Sequence, residues 1–375
     1  MHPDDATPDE GGECGEAESA ADLCTACRNG DLERVMDLIK RVVNPIDPNK
    51  VTTDDGKTPL YIASSFGNTE IVIALLEAGA DPDVAWTTTG ATPLFKASEN
   101  GYPGPVAALL GARATPDLPD AEGRTPLYIA CDTQRPSEDE SLAVVRLLIR
   151  AGASVNCSER PNNNNREAEW TPLYNTLTSG RFQIARFLVE SGADVSRALV
   201  TGDRCWETPL KLACEWKQFE IARLLVEKGA CLEDGYSDYY THTHADRTTV
   251  SEVRTPLHFS CTANDIDTAR LLLDNGASVN NGLISDEETE TPLHTACQRG
   301  YVEMARLLLS AGADPNLVDE LGWMPIDYAC DLGHEQIVYS LLAHNADSSR
   351  SVSLATAAGH VGCVRILLEW VVRSN

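Results

Sequence analysis

The sequence predicts an all-α solenoid of about ten helix–turn–helix units, with β-turn loops projecting where one unit passes into the next. The first observation behind this is a phrase that returns down the chain. It reads TPLYIASSFG at Thr58, TPLFKASENG at Thr92, TPLYIACD at Thr125, TPLYNTLTSG at Thr171, TPLKLACEW at Thr208, TPLHFSCTAN at Thr255, TPLHTACQRG at Thr291 and MPIDYACDLG at Met324. Its first letters are 34, 33, 46, 37, 47, 36 and 33 residues apart, so the base period is near 33, and a fixed period of that size marks a stacked array. The second observation is an apolar block after each phrase that closes on Gly-Ala-Asp or a near relative, as in EIVIALLEAGADP, QIARFLVESGADV and VEMARLLLSAGADP. The third is composition: 42% hydrophobic but only 6% aromatic residues describe small aliphatic packing units.

Each element follows from local chemistry. Thr before Pro caps a helix, and Pro fills the first helical turn, where its missing N–H costs nothing. Apolar residues at helical spacing, such as Ile71, Ala74 and Leu75, give one buried face. Gly79, Gly152, Gly192, Gly229, Gly276 and Gly312 fall just past the second helix, where a left-handed cap favours a residue without Cβ. Asn345 takes that place in the ninth unit and Arg113 in the third, a departure. The third unit also carries Pro103 and Pro105, which predict a short or displaced second helix. LCTACRNGDLERVMDLI and LATAAGHVGCVRILLEW keep the hairpin pattern without the Thr-Pro opening and read as terminal caps, since an end repeat has one face against solvent.

The domain plan is therefore an acidic tail over 1–20 and one array over 21–375. Its units start near 21, 56, 90, 123, 169, 206, 253, 289, 322 and 350, with insertions at 134–138, 157–168 and 232–252. The tail holds seven acidic residues and no Lys or Arg, unlike a secretory or mitochondrial leader, and reads as disordered. A formal charge of −27 repels phosphate backbones and favours a protein partner with a basic surface over nucleic acid. No apolar run approaches the roughly 20 residues of a membrane span.

The chain resembles the ankyrin repeat, whose marks are a TPLH-like opening, a short helix, a Gly turn, a second helix and a Gly-Ala-Asp exit. The resemblance runs from about Ala21 to Val372. It implies a non-enzymatic scaffold or adaptor, monomeric, that meets a protein partner on the concave face and loop tips. A second reading is a substrate-receptor subunit of a larger, ubiquitin-ligase-type assembly. Carried onto this chain, the contact positions are Arg124, Trp170, Glu207, Arg254 and Trp323, just before the Thr-Pro or Met-Pro opening, and Phe66, Trp216 and Arg299, at the end of the first helix. Three tryptophans at such positions draw notice because Trp is enriched at binding hot spots.

Twelve cysteines raise disulfides, zinc and redox chemistry. Cys27, Cys131, Cys214, Cys261, Cys297 and Cys330 share one register, and stacked helices hold equivalent residues about 8–10 Å apart, too far for a disulfide. They read as buried fillers, and unpaired thiols in number imply the cytosol or nucleus. The insertion GYSDYYTHTHADRTTV is unlike everything around it. Tyr236, Tyr239 and Tyr240 point to partner contact, whereas His242, His244 and Asp246 alternate as a metal site could use. A plain loop is the third reading. Structural zinc takes four ligands, so no metal or cofactor is assigned. No P-loop, dinucleotide fingerprint, H-E-x-x-H or nucleophile elbow occurs, and no catalytic residue is assigned.

Overall fold

The Thr-Pro openings start helices through one repeated hydrogen bond. In the computed structural model, the hydroxyls of Thr58, Thr92, Thr125, Thr171, Thr208, Thr255 and Thr291 each accept from the backbone N–H three residues on, at 3.1–3.4 Å. Met324 has no hydroxyl. There the order is reversed, and the Asp327 carboxylate accepts from the Met324 N–H at 2.9 Å. The structure describes residues 21–40, 47–132, 136–157, 170–196, 199–200, 206–233, 254–281, 283–284 and 289–374. The tail over 1–20 and most of the insertions over 157–168 and 232–252 lie outside the described residues, as do 133–135 of the connection that includes 134–138.

The chain divides into two compact units, 1–193 and 194–375. In the first, Pro59–Ser65, Pro93–Glu99, Pro126–Asp132 and Pro172–Thr178 stack as one layer. Leu32–Ile39, Thr69–Glu77, Pro103–Gly111, Glu138–Arg150 and Phe182–Glu190 stack behind them as another. In the second, the front layer is Pro209–Glu215, Pro256–Ala263, Pro292–Gln298, Pro325–Asp331 and Ser351–Ala357. The back layer is Phe219–Glu227, Ile266–Asp274, Val302–Ser310, Glu335–Ala343 and Val361–Ser374. The only strands among the described residues are two-residue antiparallel pairs in the connecting turns, Leu199–Val200 with Trp206–Glu207 and Leu283–Ile284 with Thr289–Glu290.

No hairpin could shield its own apolar side. Leu75, Leu109, Leu148 and Leu188, one from each of four consecutive back helices, are fully buried, and a Leu left in water instead would forgo roughly 1.5–3 kcal/mol. The six cysteines of the shared register are fully or almost fully buried, and all ten described cysteines are free. Burial pushes the Cys27 and Cys214 thiols up to about 12, so they stay protonated fillers.

One sequence expectation is corrected. Pro103–Gly111 is a full nine-residue helix, as long as Thr69–Glu77 before it. Pro103 and Pro105 both sit in its first turn, where N–H groups have no intrahelical partner to lose. Arg113 and Asn345 do adopt left-handed backbone, at φ 66° and 64°.

A second set of polar contacts fixes each unit against the next. At the exit turns, a short polar side chain accepts from the backbone N–H of the following unit. Asn49 accepts from Asp81 at 2.7 Å, Asp83 from Thr115 at 2.9 Å, Asp117 from Ser154 at 3.0 Å, Asn280 from Asp314 at 2.9 Å and Asn316 from Asp347 at 2.7 Å. Glu233 serves Ser278 in the same way.

Candidate protein-interaction surface

The face available to a partner is built from two features, the carboxyl ends of the front helices and the tips that precede them. A tip is a turn stapled by its own first residue. Asp120 Oδ1 accepts from the Glu122 and Arg124 N–H groups at 3.0 and 2.9 Å, and Asp319 Oδ1 accepts from the Trp323 N–H at 2.7 Å. In the second unit a Thr53 hydroxyl does the same for Lys57 at 3.0 Å. The Gly at each turn takes positive φ. Gly90, at φ 71°, also lies so close to the next tip that a Cβ would sit 2.9 Å from the Ala121 nitrogen. There the Ala121 N–H donates to the Thr89 carbonyl at 2.8 Å, tying one tip to its neighbour.

The contact positions taken from the sequence fall into three environments. Phe66 and Trp216 stand in solvent, 52% and 51% exposed, each capping the end of a front helix, and Arg299 is exposed at the same register. Arg124, Trp170, Arg254 and Trp323 are half-buried. Arg124 is held by Asp120 through Nε at 2.9 Å and by Glu122 at 2.9 Å, over the Phe95 ring. Trp170 meets Tyr174 edge-on at 5.0 Å, and Trp323 leans on Tyr328 at 5.0 Å. Glu207 lies in a tip ladder with Leu199, its backbone alone being described, and Tyr236, Tyr239, Tyr240, His242 and His244 lie outside the described residues.

Several residues of this face escape a reading by repeat register. Trp86 stands in the third unit's tip, donating from Nε1 to the Asp55 carbonyl at 2.7 Å, under the Lys57 ammonium at 4.2 Å and 5.7 Å from the Tyr61 ring. Val318 and Leu321 project from the ninth tip, 57% and 69% exposed, whereas Leu332, exposed at the end of the following helix, stands at the register of Phe66 and Trp216. The signal for the tips was present as D-x-x-G before the opening, in Asp120-Ala-Glu-Gly and Asp319-Glu-Leu-Gly. A short acidic side chain followed by a Gly is turn chemistry.

The charge of the face is uneven in a useful way. In the second to fourth units its cations are already engaged: Lys57 with Asp55 at 2.6 Å, Lys96 with Glu99, and Arg124 with Asp120 and Glu122. Asp54 and Asp132 are exposed beside them. The Lys57 contact holds the Asp55 carboxyl below the usual carboxylate range.

Among the described residues no group of three His, Cys, Asp or Glu side chains could hold a metal ion, and no helix is long and apolar enough to cross a membrane. The histidines of the openings serve the fold. His294 bridges Thr291 Oγ1 at 2.8 Å and the Trp323 carbonyl at 3.1 Å.

A comparison with known families agrees with this architecture. The family model described as ankyrin repeats in three copies matches residues 23–120, 137–236 and 238–319, well over half the chain. The ninth and tenth hairpins, Pro325–Asp331 with Glu335–Ala343 and Ser351–Ala357 with Val361–Ser374, continue the same stacking past the last matched residue. Capped openings, layered hairpins, stapled tips and the family match together make this chain a member of the ankyrin repeat family.

Proposed function

We propose that the chain is a non-enzymatic adaptor that binds a protein partner on its front-helix ends and tips. One observation carries the reading. A scaffold that buries its apolar side chains in every unit leaves Phe66 and Trp216 half in water at the same register of two front helices. Large aromatics held rigidly in solvent cost little entropy to engage and are frequent hot spots. The engaged cations and exposed Asp54 and Asp132 favour a partner with a basic surface. Tyr236, Tyr239 and Tyr240 of the insertion would extend the contact beyond these positions. The free, buried thiols suit the reducing cytosol or nucleus.

Quantitative affinity capture, comparing the wild-type chain with Phe66→Ala/Trp216→Ala, tests the reading. Recovery of a specific partner should fall about tenfold or more, the loss expected when hot spots worth over 1.4 kcal/mol are removed. Equal recovery by a folded double variant would place the contact elsewhere. A chain whose 236–250 segment is replaced by a short turn measures the insertion's share.

A further inference from the structure

The first and tenth units leave different kinds of side chain in solvent. In the first unit the exposed side chains include Asp22, Thr25, Glu33 and Asp37, polar on both helices, as an end cap should be. The tenth unit follows that rule with only one helix. In Ser351–Ala357, Ser353 and Thr356 stand exposed where the ninth unit has the buried Asp327 and Cys330. Its second helix does the opposite. Leu368 occupies the register of Leu342, which is 1% exposed, yet Leu368 is 52% exposed. Val361 and Val372, both 79% exposed, and Val371 continue the apolar surface. Beside it Tyr339 of the ninth unit, also exposed, meets Trp370 edge-on at 6.1 Å.

The pattern of that helix identifies what fits it. Residues 361, 365, 368 and 372 lie within about 60° of one another on a helix of 3.6 residues per turn. Their spacing of four, three and four reads the same in either direction. Laid antiparallel on a copy of itself about a two-fold axis, the helix sets Val361 against Val372 and Arg365 against Leu368, with Glu369 of the other copy one residue beyond and in reach of Arg365. Such isologous contacts are the commonest way in which a chain meets itself. Charge supports the same occupant. The whole chain carries −27, which opposes self-association, but Val361–Ser374 holds two arginines and one glutamate. It is a place where two copies approach without that repulsion and with a complementary pair.

We propose that the exposed face of Val361–Ser374 is a homodimer surface, formed by antiparallel packing of this helix against the same helix of a second copy. A single helix pair about 21 Å long sits at the small end of specific interfaces, so the association is weak and concentration-dependent. It is separate from the front-helix face and does not rest on the adaptor reading.

Sedimentation equilibrium of the full chain from low to high micromolar concentration should show mass rising from one chain toward two. Leu368→Glu should abolish the rise while circular dichroism reports unchanged helix content. Arg365→Glu and Glu369→Arg should each weaken association about tenfold, and the double swap Arg365→Glu/Glu369→Arg should restore it, as a facing charge pair requires. Phe66→Ala/Trp216→Ala should leave it unaltered. A chain monomeric at every concentration, whatever else covers this helix, overturns the proposal. So does a dimer indifferent to Leu368→Glu, or a double swap that fails to restore.

Discussion

The third residue of each front helix that opens with Pro is Tyr61, Phe95, Tyr128 or Tyr174 in the first half of the molecule and Lys211, His258, His294 or Asp327 in the second. All eight are buried. One position of one repeat is thus filled in two ways. In the first half aromatic side chains pack into apolar surroundings, with Tyr61, Phe95, Ala91 and Ile129 in one cluster against Trp86. At His294 and Asp327 of the second half, hydrogen bonds and an ion pair take over, as His294 bridges to the next tip and Asp327 receives Arg350 through Nε at 2.9 Å. The aromatic solution depends on shape. The polar one depends on every partner being present and correctly protonated, because an unsatisfied buried polar group is costly.

That contrast can be broken first on its apolar side. Phe95→Ala should destabilise the first half by about 3–5 kcal/mol through a cavity in the cluster. Hydrogen exchange should localise the loss to Pro59–Ser65, Pro93–Glu99 and Pro126–Asp132. Uniform loss in both halves would show that the aromatic cluster supports the whole array and not its first half alone.

The next effect belongs to the polar side and to pH. Burial, with Arg254 and Arg299 nearby, lowers the His258 pKa from 6.5 to about 4. The folded state therefore holds neutral imidazole, while the unfolded chain binds a proton near pH 6.5. The contribution of this group is complete above that pH and is lost as pH falls toward 4, a change of up to about 3 kcal/mol. Urea unfolding at pH 7 and pH 4.5 should show a smaller stability difference for His258→Phe than for wild type. An unchanged difference would mean that His258 titrates freely.

Arg350→Met should have the smallest effect, about 2 kcal/mol in the second half. Asp327 is fully buried, but the Arg350 side chain is 45% exposed, so the loss falls below that of a wholly buried pair. Adding Asp327→Tyr, which imports the chemistry of the first half, should recover most of it. Failure to recover would show that the ninth unit needs a carboxylate to cap Met324 as well as to meet Arg350.

Much of the array was legible in the sequence because its signals are local. A Thr-Pro pair caps a helix and a Gly ends one whatever the rest of the chain does, so the openings and exits could be placed by reading alone. Pro103 and Pro105 show where such reading misleads. Two prolines look like a broken helix until their positions place both in the first turn. The surface was less legible, since exposure is decided by neighbours. Trp170, Trp216 and Trp323 all occupy positions that the repeat turns outward, the first and last before an opening and Trp216 at the end of a front helix, yet only Trp216 of the three stands free. The other two rest on Tyr174 and Tyr328 of their own front helices, four and five residues ahead. Trp86 was overlooked because its role arises from Asp55 and Lys57 one unit earlier.

The exit-turn ladder has a bearing on how such a molecule changes over generations. Asn49, Asp83, Asp117, Asn280 and Asn316 grip the main-chain amides of the following unit, and an amide is present whatever side chain it carries. Spacing between units is thereby set without reference to the residues that face outward. Substitution at the outward positions can redirect the molecule to a new target while the scaffold beneath keeps its geometry.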